Sequence, residues 1–268
     1  MRSEGNWWFA GANRGRVAEC GPVVGLSVAA ACDLSARPCA AAWRGAGAWR
    51  NLAGFALFAV LATACSLPRR VTAPGPLPAG APTTVEGLAA AIDADSQRSD
   101  KESDGKVREH LADEANAYAD ACLAKAPKAA ACLYGRGVAL GLEARAHPTS
   151  AGELLKSMLD SLNSADAADP NYDNAGPSRV KALVLIRAPG WPLGPGDPDA
   201  GVVSARRAVK LRPQYPPNLL ALGEALSKTD DAAGARDAYG KARDAAQAMP
   251  VGADRDGWVR EAEQGLRK

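Results

Sequence analysis

The chain is poor in the residues that most chemistry needs. In 268 residues it has two histidines, His110 and His147, three methionines, three phenylalanines and five tyrosines. Neither histidine has a Cys, Asp or Glu partner at a ligand spacing such as H-E-x-x-H, which argues against metal and proton-relay chemistry. No apolar run reaches the ~20 residues that a membrane-spanning helix needs. No segment alternates polar and apolar side chains in the period of two that marks a strand. "GPGD", Gly194 to Asp197, has the glycines of a phosphate loop but neither the preceding strand nor the Lys and Ser/Thr. Acid pairs such as Asp113-Glu114 read as solvated helix faces. The net charge of +2 is owed to residues 1–64, and the chain without them has no basic footprint for nucleic acid. The expectation is a protein that is not an enzyme and takes no cofactor or metal.

What is present begins with "GFALFAVLATACSLPRR", Gly54 to Arg70. Arg44 and Arg50 give a positive flank, residues 52–64 are apolar or small, and Cys65 follows at once. A secretory signal has this order: basic region, apolar run of about 7–15 residues, small residues at the cut. A buried helix of an N-terminal domain is the alternative. "LATAC" resembles the lipobox of bacterial lipoproteins, with Leu61 one place further out than usual and Ala62 in its place. The resemblance implies cleavage before Cys65, diacylation of its thiol and a stable anchor, since two acyl chains hold where one does not. Ser66 in place of Asp favours the outer over the inner membrane, on the periplasmic face of the envelope.

Residues 1–50 carry four of the six Trp, three of the six Cys and no Lys, with no helical or strand period. They are read as an extension ahead of the natural start, a genuine long leader being the alternative. Residues 51–64 are then the signal. Removing residues 1–64 takes away six Arg against Glu4, Glu19 and Asp33, so a net charge of +2 falls to −1. Residues 65–84 are the lipidated Cys and a Pro-, Ala- and Gly-rich tether, which cannot bury a core.

From residue 85 to 268 the expected fold is all-α. "LLALGEALSKTDDAAGARDAYGKA" holds Leu219-x2-Leu222-Gly223-x2-Leu226 and then Ala235-x3-Tyr239-x2-Ala242. This resembles the tetratricopeptide repeat, whose small residues sit where two antiparallel helices touch. Older copies lead to Pro127, Pro170 and Pro213, each 43 residues apart, while Ala208 to Ala242 spans the repeat's own 34. Arg136 and Arg179 stand where the repeat has Leu. The resemblance implies antiparallel helix-pair repeats, a solenoid that presents grooves to protein or peptide partners. Caps and periodicity predict helices near 85–96, 107–125, 129–145, 151–168, 177–187, 198–212, 217–228, 231–248 and 254–267.

Cys122 and Cys132 lie across one predicted helical turn in a chain expected to be exported. An oxidising compartment favours a disulfide between them, the alternative being two small buried thiols. On the repeat pattern, Tyr134, Val138, Leu142, Lys181 and Glu224 form one candidate binding face. A second candidate is the insertion "APGWPLGPGD", Ala188 to Asp197. Its Trp191 either stands at the tip as an anchor or folds back to plug the stack. Pro189, Pro192 and Pro195 stiffen the loop and favour the plug.

The run "GP-x-R", "PGWPLGPGD" and "A-V-x-L-x-P-x-Y-P-P-N", Gly176 to Asn218, together with the layout, resembles the lipoprotein T component of bacterial TRAP transporter systems. That family implies association with a periplasmic solute-binding protein. A cell-envelope assembly scaffold is the second reading. An enzyme, the third, would need a buried acid or histidine cluster.

Overall fold

Helix starts in this chain are written in short polar side chains. Thr84 accepts a hydrogen bond from the Gly87 amide at 3.0 Å, Asp104 from Lys106 at 2.8 Å, Asp197 from Ala200 at 3.0 Å and Asp231 from Gly234 at 2.9 Å. Each satisfies an amide that the first turn leaves without a partner. The computed structural model describes residues 76–267. The N-terminal extension, the signal and Cys65 lie outside the described residues.

Nine helices are found there: α1 (Val85–Lys101), α2 (Gly105–Lys125), α3 (Ala130–Ala146), α4 (Ala151–Ala168), α5 (Tyr172–Arg187), α6 (Pro198–Leu211), α7 (Pro216–Lys228), α8 (Ala232–Gln247) and α9 (Ala253–Leu266). Apart from one isolated backbone pairing between Gly190 and Gly196, the described residues contain no β-structure. No helix among them is long and apolar enough to cross a membrane. The protein is all-α over this span. α1 runs five residues beyond its expected end. Its last turn is held inside: Ser96 and Ser99 are buried, and Asp100 accepts from Arg145 of α3 at 3.0 Å.

Each helix packs on the next in the chain. The odd-numbered helices also pack on one another, α1 on α3, α3 on α5, α5 on α7 and α7 on α9, whereas the backbones of the even-numbered helices stay apart, α4 and α6 meeting through the Arg207–Asp166 ion pair. Small residues permit the close approaches. A Cβ on Gly223 of α7 would lie 2.7 Å from the Tyr239 ring of α8, and Gly265 of α9 closes on the same ring. Ala235 and Ala242 are buried beside it. One apolar core is built on α3 and α4 from Val138, Leu142, Met158 and Leu162, joined by Val180 and Val184 of α5. Another gathers Leu219, Leu226 and Tyr239, with Trp258 and Leu266 of α9 against it.

A disulfide joins Cys122 and Cys132, with Cα atoms 5.2 Å apart, between the end of α2 and the start of α3. Both cysteines are buried with Leu88 of α1. The expected face of Tyr134, Val138, Leu142, Lys181 and Glu224 is corrected here. Val138 and Leu142 are core residues, buried against α4, and present nothing to a partner. The 3.6-residue period places side chains on a helix face but does not say which neighbour covers that face.

Candidate functional site

The polar centre of the molecule is at the start of α5. Asp173, Asn174 and Ala175 have φ of 48°, 54° and 66°, three successive non-glycine residues in the left-handed region. Each is worth roughly 1–2 kcal/mol of strain, so the turn must be held from outside. Arg179, one regular helical turn later and 1% exposed, holds it. Its Nη1 donates to the carbonyls of Asp173 at 3.1 Å and Asn174 at 3.4 Å, and to Asn218 Oδ1 at 3.2 Å. Its Nη2 donates to Asp173 Oδ2 at 2.7 Å. Asn218 of α7 then ties the turn to the next helices, its Nδ2 donating to Asn174 O at 3.0 Å and Ala208 O at 3.1 Å. Gly176 is required beneath this, because a Cβ there would meet Asp173 Oδ2 at 2.7 Å.

Aromatic rings surround the centre. Tyr134 Oη donates to Asp173 Oδ2 at 3.1 Å and its ring meets Tyr172 edge-on at 5.4 Å. The Arg179 guanidinium lies over the Tyr215 ring at 5.4 Å, and Tyr215 meets Trp258 edge-on at 5.9 Å. Burial is the largest influence on Arg179 and works against its charge, but Asp173, Tyr134 and Tyr215 together outweigh it and leave the guanidinium pKa raised. Burial, then the charges of Asp173 and Asp93, pushes Tyr172 up to about 12. Tyr134 is raised well above its ordinary value by burial and then Asp173. These phenols are therefore neutral hydrogen-bond donors at physiological pH.

Of the expected face, Tyr134 belongs to this centre and is buried. Lys181 is elsewhere, its Nζ donating to Asn163 Oδ1 of α4 at 2.7 Å. Glu224 sits against the last turn of α5, where it takes Arg187 Nε at 2.7 Å and also Nη2. The sequence pattern thus pooled residues that the fold distributes over a core, a polar centre, a lysine–asparagine hydrogen bond and an ion pair. The centre itself had one signal in the sequence. Arg179 lies on the apolar side of an expected helix, where its charge needs an acid, and Asp173 is six residues before it.

The α5–α6 loop is the second element. Its neck is closed by Gly196 N donating to Pro189 O at 2.9 Å, and its tip by Leu193 N and Gly194 N donating to Gly190 O at 3.1 and 3.2 Å. Asp197 N returns to Leu185 O at 2.9 Å before the side chain caps α6. Gly196 admits the close turn, since a Cβ there would collide with the Ala188 carbonyl. The Leu193 carbonyl rests on Gly152 of α4, where a Cβ would come within 2.7 Å. On this fixed frame Trp191 is 90% exposed and Leu193 75%. The plug expected from the prolines is corrected: they stiffen the loop, but with the ring outward.

Among the described residues no group of three or more His, Cys, Asp and Glu is placed to hold a metal ion. Over the described residues, fold and site together define an all-helical domain with a braced aromatic loop and a buried, tyrosine-lined ion pair. No protein-family model matches the chain, and no curated protein matches it.

Proposed function

We propose that this chain is an exported, lipid-anchored protein of tetratricopeptide-like repeats whose work is to bind another protein. The partner that its layout suits is a periplasmic solute-binding protein of a TRAP-type transport system. The single observation carrying the reading is the α5–α6 loop, which spends four backbone hydrogen bonds and two close glycine contacts on presenting an indole and a leucine to solvent. Large aromatics at the centre of an interface dominate its energetics, and a pre-formed loop loses little entropy on binding. The odd-on-odd packing of helices and the 43-residue spacing of Pro127, Pro170 and Pro213 support the repeat reading. "LATAC" supports the anchor, with Cys65 as the acylated residue.

The test is crosslinked recovery of partners from membranes with wild type and Trp191→Ala. The variant should lose partner capture by roughly 2 kcal/mol or more, with its melting temperature nearly unchanged. Undiminished recovery of the same partner would refute the binding-loop reading. Envelope-synthesis proteins in the eluate, in place of a solute-binding protein, would favour the scaffold reading.

A further inference from the structure

α1 is held to the stack by two unlike halves. The first half buries Leu88 and Ile92, and the second buries only polar side chains, Asp95, Ser96 and Ser99. Among the described helices α1 packs on α2 and α3 alone. A terminal segment that buries no apolar side chain separates from its neighbours at little cost. The binding reading above makes no use of it.

Two polar atoms of this second half are buried without partners, Asp95 Oδ2 and Ser96 Oγ. Asp95 is 4% exposed and accepts from Arg98 Nη1 at 3.1 Å through Oδ1. The Arg98 side chain is itself 64% exposed, so water screens that pair. From α2 come the largely buried Glu114, 3.7 Å from His110 Nε2, and Tyr118. The charged groups of α3 are engaged elsewhere: Arg145 with Asp100, Arg136 with Asn116 and Asp120, and Glu143 with Asn116. Burial, and then Glu114, raises Asp95 to about 6 against Arg98 and His110. Burial also raises Asp100, against Arg145.

We propose that the second half of α1, residues 95–101, is a pH-operated clasp, seated while Asp95 carries a proton and opened locally once Asp95 is charged. A neutral carboxyl loses little by burial in that seat. A carboxylate there has one oxygen without a donor and faces the charge of Glu114, and opening returns it and Ser96 Oγ to water. Leu88 packs on the Cys122–Cys132 bridge, and Ile92 lies in the core of α3 and α4, so the first half of α1 stays in place. The proton is held more tightly in the seated form, which is therefore favoured at acid pH and loses ground as pH rises through about 6. The clasp reaches Arg145 in the last turn of α3, and α4, on whose Gly152 the α5–α6 loop rests, begins just after. Opening thus alters the end of the stack that carries the loop and leaves the start of α1, where the tether enters, as it was.

The test is hydrogen–deuterium exchange of the full chain at about pH 5 and about pH 7.5, with each amide's intrinsic rate divided out. Residues 96–101 should exchange faster than the slowest amides of α3 and α7 at both values. With Asp95 at 3.8 when open and about 6 when seated, their opening equilibrium should rise about tenfold between the two. Amides of α9, at the other end of the stack, should change by less than about twofold. Asp95→Asn should cut the rise to about threefold or less, the remainder belonging to Asp100. A rise that persists undiminished in Asp95→Asn would overturn the proposal. So would wild-type residues 96–101 protected as strongly as the slowest core amides, since they would then open only with the whole fold, or a protection that ignores pH. Neither of those last two results needs a variant to fold.

Discussion

The two ends of α5 invert the usual burial rule in opposite directions. At its start a guanidinium is inside, 1% exposed; just past its end an indole is outside, 90% exposed. The buried charge is answered within the chain: an aspartate, two backbone carbonyls and an asparagine take the hydrogens of Arg179. The exposed ring is answered by nothing among the described residues, although its loop is braced by four backbone hydrogen bonds. A buried ion pair is costly to break by halves. A large exposed ring on a rigid frame is a surface prepared for something else.

The comparison breaks most sharply at Arg179. Arg179→Leu restores the residue that the repeat pattern wants, yet it leaves Asp173 buried without its cation and the left-handed turn without its clamp. Urea unfolding should show a loss of about 3–5 kcal/mol. Adding Asp173→Asn should recover part of it, because the uncompensated charge is then gone. Strict additivity of the two changes would mean that they do not act as a pair.

The covalent brace between α2 and α3 gives a reference of known origin. Replacing Cys122 and Cys132 by serine, or reducing the bond, should destabilise by roughly 3 kcal/mol through the entropy of a short closed loop. Free-thiol labelling of the unfolded, unreduced chain should detect neither cysteine.

Asp95 sharpens the comparison from the side of incomplete pairing. It is 4% exposed and accepts from Arg98 Nη1 at 3.1 Å through Oδ1, while Oδ2 has no partner. Burial, and then the charge of Glu114, raises its pKa to about 6, against the pull of Arg98 and His110. Between its ordinary 3.8 and about 6 the folded chain holds this proton and the unfolded chain does not. Its contribution to stability is therefore full below that window and is lost as pH rises through it. Asp95→Asn should flatten that slope and stabilise the protein at pH 7 by roughly 1–3 kcal/mol, with little change at pH 4. Equal gains at both pH values would show that the proton is not involved.

The smallest effect on stability is expected at Trp191. Its replacement by alanine should move the unfolding free energy by less than about 0.5 kcal/mol, as for other exposed sites. A loss of the 3–5 kcal/mol typical of a buried ring would mean that the indole is packed after all.

Much of the helical plan was legible because its signals are local. Thr84, Asp197 and Asp231 cap helices where the sequence shows them, and Gly223 meets Tyr239 as the helix-pair motif requires. Cys122 and Cys132 pair across their turn because consecutive antiparallel helices bring such positions together. The candidate face was not legible. Tyr134, Val138 and Leu142 share a helix with the expected period, but α4 and α5 cover them. The regular part of α5 begins past Ala175, close to the expected 177, but nothing in "DNA" announces the three left-handed residues before it. Arg179 and Asn218 hold that conformation from outside the turn.

By itself, then, the sequence determined where most helices begin, which small residues let them touch and which cysteines meet. Those outcomes depend on side chains a few positions apart, acting on backbone groups or neighbours within reach. Tertiary structure alone decided that Arg179 finds Asp173 and Asn218, that α4 and α5 bury Val138 and Leu142, and that Trp191 points outward. Burial is a property of what arrives from elsewhere in the chain. The same proline-stiffened loop could hold an indole against the stack or away from it, and the hydrogen bonds of its neck and its seat on Gly152 choose away.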